Sequence, residues 1–264
     1  MLKRVLSALV MAALLVVVIF FSPPFVMETF VLILVAGALF EFFKLCLPPE
    51  RIYHVIGIIW GLSVSLSLLV FRDPTSVLIS FVGGLFVVTL VHMKHSTVLT
   101  GVTSRIGVTT LGVMYLGMTL PFWALLYRLP YGRVLVLIGI AATAMCDSFA
   151  LFAGKAFGRH KFAPMTSPNK TMEGFFGGFV GSILTVWLIK LLALPGLQTI
   201  HVIAMGLCIG FIGPMGDLVE SLFKRDYQVK DSGNLIPGHG GVLDRVDAMV
   251  FVGPFLYVYA RWFL

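Results

Sequence analysis

Residues 199–247 read TIHVIAMGLCIGFIGPMGDLVESLFKRDYQVKDSGNLIPGHGGVLDRVD, and the stretch changes character half-way along. Its first part, 199–222, is an apolar run long enough to cross a bilayer, yet it carries Asp217 and Glu220. Its second part, Ser221 to Asp247, holds four Lys/Arg and four Asp around a His-Gly-Gly turn. Charges of both signs this dense, beside greasy helices and with glycines that let backbone approach a ligand, suit a metal-bridged polyphosphate better than a plain surface loop.

The rest of the 264-residue chain is as apolar as that first part: 59% hydrophobic residues and only 12% charged. A soluble domain is roughly half apolar and a quarter charged, so the composition specifies an all-α, polytopic membrane protein. Apolar runs fall near 5–21, 26–46, 53–71, 76–93, 106–127, 134–153, 174–193, 199–222 and 246–263, which predicts about nine transmembrane helices. The run at 5–21 is followed by Ser22-Pro23-Pro24 without a small-x-small cleavage site, so it is expected to stay as the first span. With Lys3 and Arg4 inside, fourteen Lys/Arg collect on the inner side. Arg72, Arg128, Arg133, Lys190 and Arg261 stay outside. That asymmetry predicts a cytoplasmic N-terminus, an outside C-terminus and charged loops facing the cytoplasm, in a protein integral to the inner or plasma membrane.

The net charge of +7 comes without a basic patch interleaved with aromatics, so nucleic acid is not the expected partner; anionic lipid and an anionic substrate are. Cys46, Cys146 and Cys208 are odd in number and lack metal-ligand spacing, and read as reduced packing residues. The acids divide unevenly. Only Glu28, Glu41, Glu50 and Asp73 precede residue 100, while eight lie from Asp147 onward. A single membrane domain over 1–264 is expected, with 1–133 as scaffold helices and 134–264 carrying the catalytic helices and cytoplasmic loops.

Asp217, Glu220, Ser221 and Lys224 recur at i, i+3, i+4 and i+7 and so share one helix face. An acid at mid-bilayer costs ~2.5–3.5 kcal/mol unless paired, hydrated or metal-bound. Lys224 one turn away could neutralise Glu220; Asp217 lies beside Gly213, Pro214 and Gly216, where a break in the helix would make room for a cation. Asp244 and Asp247 flank Arg245 at the start of the last run, either as helix-start acids or as carboxylates converging on a cation. A third cluster runs from Cys146 to Gly178. Asp147 sits in an apolar run; Gly154, Lys155, Gly158, Arg159 and Lys161 form a glycine-punctuated basic loop; Ser167-Pro168-Asn169-Lys170-Thr171 then precedes Glu173 and a helix. Such a loop either presents amides and cations to phosphates or is a positive-inside turn. His239 either donates to a phosphate or holds its turn, and Glu41 either pairs with Lys44 or lines a polar cavity.

Read together, S-x-x-K-R-x4-K-D-x-G-x2-I-P-x-H-G-G-x2-D-R-x-D from Ser221 to Asp247, with D-S-x-A at Asp147 and S-P-x-K-T-x-E-G at Ser167, resembles the phosphatidate cytidylyltransferases. These integral membrane enzymes make CDP-diacylglycerol from CTP and phosphatidic acid. The family often has a second Lys where Asn169 stands here. The resemblance implies catalytic roles for Asp217, Lys224, Arg225, Lys230, Asp231, His239, Asp244, Arg245 and Asp247. It implies substrate contacts at Asp147, Lys155, Ser167, Lys170, Thr171, Glu173, Gly240 and Gly241. It also implies Mg2+ on Asp217 and Asp244, with Asp247 behind them or on a second cation. The partners are then CTP, phosphatidic acid and membrane lipid, and a homodimer is left open. A CTP-dependent lipid-alcohol kinase or an ion-coupled transporter would share the buried acids. The complete C-terminal motif disfavours the first and the absence of internal repeats the second.

Overall fold

A computed structural model describes residues 13–96, 98–233, 235 and 240–264. It is helical almost throughout, and seven helices are long and apolar enough to cross a membrane. They are α2 (Pro24–Cys46), α3 (Arg51–Val70), α4 (Pro74–His95), the composite Val102–Tyr127, α7 (Gly132–Phe157), α8 (Met172–Ala193) and α9 (Thr199–Asp226). The composite is α5 (Val102–Gly112), a π-helical turn (Val113–Gly117) and α6 (Phe122–Tyr127). These seven match seven of the nine expected runs. For the run at 5–21, residues 5–12 lie outside the described residues, and 13–21 are helical (α1). The run at 246–263 is interrupted. A short α10 (Leu243–Val246) turns through Asp247 and Ala248 into α11 (Met249–Phe263), whose 15 residues alone are too short for a ~30 Å hydrocarbon core.

The chain packs as two compact units. The first comprises residues 1–125 with 231–243. Its core is aromatic and branched, with Leu39, Phe42, Phe43 and Leu116 fully buried. Here α3 lies against the π-helical turn, and Ser65 Oγ stands 2.9 Å from Gly61 O and 2.7 Å from Gly117 O, so its one O–H proton is shared between two helix carbonyls inside the membrane domain. Asp73 caps α4 by accepting the Ser76 N–H at 2.9 Å, a bond that holds its exposed carboxyl below the usual carboxylate range.

The second unit comprises residues 126–230 with 244–264 and is built on α7, α8 and α9. Small residues set the spacing. A methyl group on Gly206 of α9 would lie 2.7 Å from Ile183 Cα of α8, so only glycine permits this approach. Ser182 Oγ donates to Gly206 O at 2.7 Å across the same contact. A two-stranded antiparallel hairpin, β1 (Lys161–Ala163) with β2 (Ser167–Thr171), fills what the sequence presents as a basic loop. Outward-facing Phe86, Phe152, Leu192 and Trp262 are exposed, as lipid-facing side chains are.

Candidate active site

The polar residues of the second unit gather where α7, α9 and the α10–α11 turn converge with the end of β2. Helix α9 does not break at Pro214; it runs unbroken from Thr199 to Asp226. Pro214 lacks the N–H that would bond Gly210 O. The Cys146 thiol of α7 donates to that carbonyl at 3.9 Å. Gly216 has a different task from opening the helix. A methyl group there would lie 2.5 Å from Asp247 O, so glycine lets the Asp247–Ala248 backbone lie directly on α9. The expected gap for a cation is thus replaced by a close approach that carries Asp247 to the acids of α9.

Asp217, Glu220 and Asp247 each offer a carboxylate oxygen, and these oxygens lie within 4.8 Å of one another. Asp217 Oδ2 is paired with Lys170 Nζ at 2.7 Å, and the same ammonium donates to Pro214 O at 3.2 Å. Ser221 Oγ donates to Asp217 Oδ1 at 3.3 Å. One turn further along α9, Lys224 Nζ bridges Glu220 Oε2 (2.7 Å) and Asp244 Oδ1 (2.8 Å). Asp147, exposed on α7, is within electrostatic reach of Asp217 and Lys170. Asp217, Glu220 and Asp247 set three carboxylates together in a partly desolvated place, which is costly unless a cation joins them. Glu220 Oε1 is buried without a hydrogen-bond partner among the described residues. A divalent metal ion fits that atom and the oxygen-only donor set.

Thr171 caps α8 by accepting the Gly174 N–H at 3.1 Å. Glu173 accepts the backbone N–H groups of Arg159 (3.1 Å) and His160 (3.3 Å), with the His160 ring at 2.7 Å, and so ties the glycine-punctuated turn to the head of α8. Lys170 reaches the acids from β2, whereas Ser167 lies at the strand's other end and Lys155 is exposed at the end of α7. Arg225 donates to Thr166 O and Val229 O, each at 3.3 Å, bracing the loops on either side of it. Lys230 and Arg245 are exposed. In the first unit, Asp231 is exposed, Gly241 is buried, and Gly240 takes φ +84°, a conformation glycine adopts freely. His239 lies outside the described residues. The geometry places Glu220 among the clustered carboxylates and Asp244 on Lys224. Sequence reading put Glu220 on the face of Asp217 and Lys224, as a costly acid that Lys224 could neutralise, without naming it a metal ligand.

A model of the cytidylyltransferase family matches residues 2–263. The chain belongs to the cytidylyltransferase family. Among curated members, a phosphatidate cytidylyltransferase of Thermotoga maritima is 36% identical over 197 residues, covering 72% of this chain and 71% of that one. Another, from Bacillus subtilis, is 42% identical over 154 residues, 58% of this chain and 57% of that one. A chloroplastic phosphatidate cytidylyltransferase of Arabidopsis thaliana is 47% identical over 131 residues, 49% of this chain and 32% of the plant protein. The alignment thus spans less than two thirds of the Bacillus and Arabidopsis relatives.

Proposed function

We infer that this protein is a membrane-integral phosphatidate cytidylyltransferase, making CDP-diacylglycerol and pyrophosphate from CTP and phosphatidate for phospholipid synthesis. The observation that carries the reading is the clustering of Asp217, Glu220 and Asp247 beside Lys170 and Lys224 in a chain of this family. In the reaction a phosphate oxygen of phosphatidate attacks the α-phosphorus of CTP. The bond to the bridging oxygen of the β-phosphate breaks, and pyrophosphate leaves with that electron pair. The attacking phosphate is already ionised at neutral pH, so no strong general base is required. Both reactants are anions, and neutralising their repulsion is the main catalytic task.

Mg2+ would be held by Asp217, Glu220 and Asp247, where it supplies positive charge to phosphate oxygens. Lys170 spans from β2 to Asp217 and would trade that carboxylate for a phosphate of the substrate. Lys224 keeps Glu220 and Asp244 in register and holds the α10 turn against α9. Thr171 and Glu173 fix the ends of the basic hairpin, and Arg225 braces it.

The excess of Lys/Arg on one side supports a cytoplasmic N-terminus, an outside C-terminus and a site opening to the cytoplasm, where CTP is found. Nine crossings follow if α10 and α11 act together as one interrupted span and the run at 5–21 is the first. Purified protein supplied with CTP and phosphatidate should release pyrophosphate only when both are present with Mg2+. Release with CTP alone, or none with any phosphatidate, would refute the assignment.

A further inference from the structure

We propose that Glu41 is a positioning residue that seats the two ends of the glycine-rich segment 231–243, residues 231–233 and 240–243, on α2, an assignment that rests on the function proposed above. Glu41 is 1% exposed and lies beside the fully buried Leu39, Phe42 and Phe43, in a helix whose other charged residues, Glu28 and Lys44, stand toward its ends. A carboxylate placed there is expensive unless donors meet it. Its Oε2 accepts the backbone N–H of Leu243 at 2.8 Å. Both ends of the loop pass over the same carboxyl group. A methyl group on Gly233 would overlap Glu41 Oε1, and one on Gly241 would overlap Oε2 and Ser232 Oγ. One turn earlier on the same face, Gly37 receives the Val242 side chain, whose Cγ2 would be 3.3 Å from a methyl group at that glycine.

Gly37 and Glu41 therefore form a two-point seat, one apolar and one polar, for the loop that carries Gly240 and Gly241 and whose last residue precedes Asp244. Nothing in general packing requires a buried acid at this point of α2, because a Leu would fill the space more cheaply. What the acid adds is a directional bond to one backbone amide and a tight limit on what may approach at Gly233 and Gly241. Loss of such a seat shifts reacting groups, and displacements of about 1 Å cost on the order of 10²-fold in rate.

Full-length Glu41→Leu and Glu41→Gln proteins are to be compared with wild type by hydrogen–deuterium exchange and by steady-state kinetics with CTP and phosphatidate. Glu41→Leu should speed exchange of the 231–243 peptide by about tenfold or more while peptides from α2 and α3 keep their protection. It should lower kcat by about tenfold or more, with KM for CTP within about twofold. Glu41→Gln retains a carbonyl oxygen for the Leu243 N–H and should restore most of both. Should Glu41→Leu fail to fold, Gly37→Leu, which lifts Val242 and leaves Glu41 in place, carries the same expectation. Unchanged exchange in the loop, or a loss of protection spread evenly over α2 and α3, overturns the proposal. Faster loop exchange in a protein whose wild type makes no liponucleotide upholds the seat and overturns the proposed reaction instead.

Discussion

Replacing Lys224 with Met would remove the ammonium that Glu220 and Asp244 share while keeping most of the apolar stem. The side chains concerned are 12% exposed for Lys224, 0% for Glu220 and 9% for Asp244, so water does little to screen the two acids left behind. Deleting one partner of a buried pair costs ~3–5 kcal/mol, because the uncompensated charge stays in place. At ~2–4 °C per kcal/mol for a chain of this size, the apparent melting temperature should fall on the order of 10 °C. Thermal denaturation in detergent, followed by size-exclusion recovery, reads this directly. Arg225→Gln is the control, since that exposed guanidinium braces two loop carbonyls and its loss should cost about 1 kcal/mol or less. Adding Glu220→Gln to Lys224→Met removes the charge left at Glu220 and should recover part of the loss. A Lys224→Met protein that melts within about 2 °C of wild type would refute the reasoning, and so would a double variant no better than the single one.

Asp217→Asn should stop nearly all turnover while shifting melting by only a few degrees, because its pair with Lys170 is partly solvated (25% and 32% exposed) and worth about 1 kcal/mol or less. Chelation of divalent ions should stop wild-type turnover, and added Mg2+ should restore it. Lys170→Ala should reduce use of CTP or phosphatidate, whereas Lys190→Ala should leave activity near wild type, since that ammonium lies over Trp187 and bonds Thr199 Oγ1; equal losses in a turnover assay would contradict the assignment of sides. Gly206→Val should force α8 and α9 apart at Ile183, costing about 1–3 kcal/mol by overpacking and lowering the yield of folded protein.

The membrane class and seven of the spans were legible because a bilayer demands long uninterrupted apolar helices, and composition alone reports them. The face of α9 that bears Asp217, Glu220 and Lys224 was legible for a similar reason, since helical spacing is strict. Pro214 misled because proline is a poor guide to a break when neighbouring helices can serve the carbonyl it frees, as Cys146 does here. The roles of Gly216 and Glu41 depend on which backbone arrives from far along the chain, Asp247 in one case and Leu243 in the other. Local pattern carries no record of such partners. The partition of the acids was hidden for the same reason: spacing could not say that Lys224 would hold Asp244 as well as Glu220.

Following the phosphorus atoms of CTP tests the central claim most directly, because a cytidylyltransferase and a CTP-dependent lipid kinase share the nucleotide and the membrane setting but attack different atoms. With phosphatidate and Mg2+ present, CTP labelled at the α-phosphorus should deliver its label to a chloroform-soluble liponucleotide, and label at the γ-phosphorus should leave in pyrophosphate. Lipid that acquires the γ-label and no α-label would contradict the account.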